Sequence, residues 1–269
     1  MKITAISQPV TVEMVPAVTG SRERADRWFY VRVALFMILL SVAGFVPSII
    51  DPSRRNASFT PLTAAHGIAA AAWLLFFLTQ AALIETRRTT IHRRLGIFGA
   101  VVAVAIIVLG YLVTIQTARH GYDLSGDLHR ALSRSGRPFG AAGFLFPLAE
   151  LLNFGILVAA GLWYRHRPDI HKRFILLATV ALANEPILHL VGYVAGYWPS
   201  LHGAGIIISV PMTILLLFTS AIHDRVSQGR IHPVSLWVPI LLTAWQNAIL
   251  VFVILPSALW REFAAWLVR

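Results

Sequence analysis

The chain has 269 residues, 57% of them hydrophobic and only 13% charged, with a mean hydropathy of +0.70. A soluble domain is closer to half apolar and a quarter charged, so these proportions exclude an ordinary water-soluble enzyme and a disordered chain. The net charge of +11 would suggest nucleic acid in a soluble protein. Beside long apolar blocks it points instead to loops held against anionic lipid headgroups, with no nucleic-acid partner. Cysteine is absent, which removes disulfides, thiolate metal sites and cysteine nucleophiles.

In chain order, residues 1–27 are polar and lack periodicity, which predicts a flexible N-terminal tail. Arg22, Arg24 and Arg27 then lead into the first of seven blocks long enough to cross a bilayer. The predicted spans are Trp28–Ile50, Pro61–Ile84, Leu95–Thr117, Ala142–Tyr164, Phe174–Tyr197, Gly203–Ile222 and Val234–Ala258. The first is too long for the apolar core of a signal peptide, so it reads as a retained span. Between the third and fourth spans, Arg119–Gly140 is rich in glycine and predicts an irregular connector or a lid. After the last span, residues 259–269 place Trp260, Phe263, Trp266 and Leu267 at helical spacing, as in a segment lying at the membrane interface. The expected fold is an all-α, polytopic transmembrane helix bundle, with residues 28–258 as one domain.

Orientation follows from basic residues in short loops. The N-terminal tail, the 87–94 loop, the 165–173 loop and the 225–230 loop carry more Lys and Arg than the loops of the other side. This predicts a cytoplasmic N-terminus, in the cytoplasmic (inner) membrane of a bacterium.

Two of the basic loops resemble each other. One reads Ile91-His92-Arg93-Arg94-Leu95-Gly96, the other Asp169-Ile170-His171-Lys172-Arg173-Phe174. Two spans separate the copies, so they share an orientation, as in a parallel repeat. His92, Arg93, Arg94, His171, Lys172 and Arg173 are expected to anchor the helix ends to lipid phosphates; a site for an anion, such as a headgroup or haem propionates, is the alternative. The pattern His66…Trp73…Gln80…His92-Arg93-Arg94-Leu95-Gly96, with the second His171-Lys172-Arg173 element, resembles a group of uncharacterised bacterial predicted membrane proteins. That resemblance covers the second and third spans and the fourth-to-fifth junction. It implies a multi-pass membrane fold and location, and no particular chemistry.

Ionisable groups inside spans cost about 2.5–3.5 kcal/mol on insertion scales and usually mark function. With the N-terminus inside, His66 lies about 7 Å, Glu150 about 12 Å, His189 about 12 Å and Glu185 about 18 Å below the outer boundary. Glu185 and His189 are spaced i, i+4 and Glu150 and Asn153 i, i+3, so each pair shares a helix face. His66, Trp73 and Gln80 form one stripe on the second helix. Pro186 removes a backbone donor and predicts a kink after Leu182; Pro147, Pro211 and Pro239 interrupt three other spans.

Four readings follow. Imidazole and carboxylate groups projecting into a bundle suit a transition metal, with His66, Glu150, Glu185 and His189 as ligands. His66 and His189 alone would suit a haem b in a membrane oxidoreductase. The same groups also suit the proton or substrate site of a transporter, or polar packing between helices. His120, Asp123, Asp127 and His129 fit no metal spacing and read as solvated. The chain has no glycine-rich phosphate loop after a strand and no Gly-x-Ser-x-Gly motif, which argues against nucleotide and serine hydrolysis.

Overall fold

The computed structural model describes residues 19–51, 59–119, 144–201 and 204–267, and every regular element among them is helical. These are α1 (Thr19–Ile50), α2 (Pro61–Glu85), α3 (Thr89–Arg119), α4 (Leu145–Trp163), α5 (Pro168–Ala181), α6 (Asn184–Ala195), α7 (Gly205–Leu217), α8 (Thr219–Gln228), α9 (Pro233–Ala244) and α10 (Ala258–Leu267). A ten-residue π-helix, Trp245–Ile254, continues α9. Seven rods are long and apolar enough to cross a membrane: α1 from Trp28, α2, α3, α4, α5 with α6, α7 with α8, and α9 with the π-helix. The chain is therefore an all-α, multi-pass membrane protein.

Local chemistry sets the helix starts. Pro61, Pro168 and Pro233 each open a helix, where a missing N–H costs nothing and φ is already helical. Thr60 Oγ1 accepts from the Thr63 N–H at 3.2 Å, and the ring Nδ1 of His232 accepts from the Val234 N–H at 3.2 Å. Gly229 closes α8 in the left-handed region (φ 71°), the conformation a glycine C-cap takes without steric cost.

Two boundaries differ from the sequence expectation in a way that matters. The third span begins at Thr89 and the fifth at Pro168, so both His-basic elements are the first turns of helices rather than loops. A hydropathy window stops where polar residues begin, whereas a helix continues while its backbone bonds are made. For the same reason α1 reaches back to Thr19, into the tail expected to lack structure.

Seven alternating crossings give the bundle two ends. The near end is where the first span begins; the 86–88, 164–167 and 229–232 connections lie there. Helix α1 packs on α2 and α6, α3 on α2 and α4, and α4 on α5, closing a ring. The core includes Met37, Trp73, Phe77, Ile106, Phe154, Leu176, Leu177 and Ile187. The fifth span is the hub: 61% of its most apolar window is buried, against 39% or less in every other span. At the far end, Trp260 and Ala264 of α10 pack on Phe144, Leu145 and Leu250. Trp260 thus faces protein, not headgroups as expected, while Trp266 remains exposed.

Candidate functional site

The fifth span is broken. Helix α5 ends at Ala181, Leu182 and Ala183 form a tight turn, and α6 restarts at Asn184. Pro186 sits in the first turn of α6 and lacks the N–H that would have carried the α-helix ladder through Leu182. The expected kink is a full discontinuity. Its geometry depends on α1: an added Cβ on Gly44 would lie 2.3 Å from the Pro186 carbonyl oxygen, so the α1 backbone lies directly against the restart.

The break turns polar groups towards α4. Asn184 donates from Nδ2 to Glu150 Oε1 at 3.0 Å. Glu185 follows Asn184 in the first turn of α6. Asn153, one turn along α4 from Glu150, is 4% exposed, and its Nδ2 has no hydrogen-bond partner among the protein atoms. The His189 ring packs on Phe45 of α1, with centroids 4.8 Å apart. The His66 ring reaches α3 instead: its Cε1 and the Leu151 methyls converge on Gly110, and its Nδ1 is buried without a partner among the protein atoms.

Of the four residues predicted as ligands, the structure ties Glu150 to Asn184, the residue next to Glu185, and gives His66 and His189 other neighbours. Among the described residues, no three His, Asp or Glu side chains converge as metal ligands do. The four-residue metal set is thus not assembled, because equal depth along a span says nothing about which face a residue takes around the bundle. Asn247 is used locally, donating to the Thr243 carbonyl at 3.1 Å. His120, Asp123, Asp127, His129 and His202 lie outside the described residues.

The near end holds the second polar centre. Arg173 is 2% exposed. Its Nη2 donates to Asp224 Oδ1 at 2.5 Å, its Nε to Asp224 Oδ2 at 3.1 Å and Ser235 Oγ at 3.0 Å, and its Nη1 to the Asp169 carbonyl at 2.5 Å. Asp224 also accepts from the His232 N–H, and Ser220 and Ser235 share a 2.9 Å bond. This network ties α5, α8 and α9 together. It corrects the anchoring role expected of Arg173: a side chain enclosed by protein and bidentate on a carboxylate does not reach lipid phosphate. Arg93 and Arg94 are exposed, and Lys172 lies over the Tyr30 ring at 5.3 Å. Asp224 was not legible as a partner, since nothing in the sequence connects it to an arginine 51 residues earlier.

A third contact fixes α2 to the fifth span. Trp73 Nε1 donates to Thr179 Oγ1 at 3.1 Å in the buried core, and Phe154 packs edge-on against the indole. No protein-family model matches the chain, and neither a curated protein nor a solved structure is significantly similar to it.

Proposed function

We propose that this protein is a transporter of the bacterial cytoplasmic membrane, with a cytoplasmic N-terminus, and that Glu150, Asn184 and Glu185 form its proton or substrate site. The observation that carries this reading is the broken fifth span, whose restart presents Asn184 to Glu150 across the α4–α6 contact. Discontinuous helices at membrane depth supply unpaired backbone groups and a helix N-terminus to a bound solute. A polar residue in hydrocarbon is costly, and a carboxyl pair placed at such a break suits exchange of a proton with a passing solute. The partnerless Nδ2 of Asn153 adds a donor on the same face. This supports transport over an oxidoreductase built on the His66, Glu150, Glu185 and His189 set, since no three of those side chains converge as metal ligands do.

The test uses the full chain in vesicles holding a pH-sensitive dye. A panel of small ionic solutes is added, and coupled proton movement is read from the dye. Glu150→Gln keeps the hydrogen bond to Asn184 but cannot release a proton. Coupled movement is expected to fall by roughly tenfold or more, as for loss of a positioned proton carrier. Wild-type movement in Glu150→Gln vesicles would remove the site from the mechanism.

A further inference from the structure

The near end carries a group of polar atoms that the Arg173–Asp224 network does not use. His92 is the fourth residue of α3 and His171 the fourth of α5; each follows an isoleucine and precedes two basic residues. The fold brings these two elements face to face: the imidazole centroids are 6.3 Å apart with planes at 82°. His171 Nδ1 lies 2.7 Å from the Gly161 carbonyl oxygen. A carbonyl only accepts, so Nδ1 carries the hydrogen, and in the neutral ring Nε2 presents a lone pair. Histidines that bind metals make this same outer contact, which fixes the tautomer and aims the free nitrogen.

His92 offers a second nitrogen. Its ring lies by the Gln80 carbonyl, and its Nδ1 is buried without a partner. Gln80 itself is 8% exposed, and neither its Nε2 nor its Oε1 has a protein partner. Buried polar atoms are nearly always satisfied, so orphans on two adjoining residues, beside an imidazole with a free lone pair, indicate a guest.

We propose that His92 and His171 hold a transition-metal ion between them, with the remaining positions taken by solvent. Imidazole nitrogen selects copper, zinc or nickel over magnesium or calcium. With metal–nitrogen bonds of about 2.0–2.1 Å, two rings on one ion place their centroids on the order of 5–6 Å apart, so only a small ring movement is needed. Arg93 opposes a cation here, but its side chain is exposed and screened by water. Lys172 is engaged on Tyr30. The site is separate from Glu150 and Glu185, and the proposal does not rest on transport.

The test is a copper(II) titration of the untagged, detergent-purified full chain, read by electron paramagnetic resonance. One equivalent should bind with superhyperfine splitting from two imidazole nitrogens. His92→Ala and His171→Ala should each weaken binding by roughly tenfold or more, while His66→Ala should bind as wild type. The wild-type spectrum decides the matter even where a variant folds poorly: no stoichiometric copper, or copper without two-nitrogen splitting, overturns the proposal and leaves ordered water as the guest. Unchanged affinity in a folded His92→Ala, His171→Ala double variant overturns it equally.

Discussion

At the scale of single residues, the largest penalty falls on Arg173. Its guanidinium is enclosed, and every one of its nitrogens donates to an oxygen of a neighbouring group. Removing one member of such a pair leaves the other charge buried and uncompensated, at a cost of about 3–5 kcal/mol. Arg173→Leu should therefore lower the thermal midpoint sharply in detergent, and adding Asp224→Leu should recover much of the loss, because an apolar pair strands no charge. Arg173→Lys should behave more like the leucine variant than like wild type, since an ammonium cannot bridge both carboxylate oxygens and Ser235 at once. Additivity of the two leucine substitutions, measured by thermal unfolding, would contradict direct coupling.

At the scale of elements, the discontinuity between α5 and α6 depends on close approach by α1. The Gly44 position has the Pro186 carbonyl where a side chain would begin. The obstruction is backbone, so a methyl group cannot be accommodated by rotamer change. Gly44→Ala should force α1 away from the restart at a cost of about 1–3 kcal/mol. If the proposed site is correct, coupled proton movement should fall along with the thermal midpoint. Gly67→Ala, where an added methyl meets open space, is the control and should leave both unchanged. The sequence announced the Pro186 interruption but not its dependence on Gly44, because hydropathy carries no information about which helix lies opposite. The same limit explains the His-basic elements. Their kinship was plain in the residues, whereas their placement as facing first turns needed the fold.

At the scale of the whole molecule, the seven spans were readable because each apolar block exceeds the length that a hydrocarbon core demands. The circular order of helices was not, so His66 and His189 looked like partners at similar depth until their neighbours were known. Depth is written along one chain, while convergence is a property of the bundle. Orientation belongs to this scale too. The excess of Lys and Arg at the near end is the basis for the proposed orientation, in which the C-terminus lies outside the cytoplasm. A reporter active only outside, fused after Arg269, should give signal in intact cells; silence there with activity of a cytoplasmic reporter would reverse the assignment.

The ion pair between the fifth and sixth spans also has a bearing on how the molecule is made. Synthesis runs from the N-terminus, so Arg173 enters the growing chain well before Asp224, 51 residues later. During that interval the guanidinium has no carboxylate to meet, and the most enclosed span of the finished bundle still carries an unanswered charge. Near the helix end, the guanidinium can meanwhile turn to water or headgroups. The buried pair is thus expected to close late, when α8 joins α5, so the near end is completed by later parts of the chain.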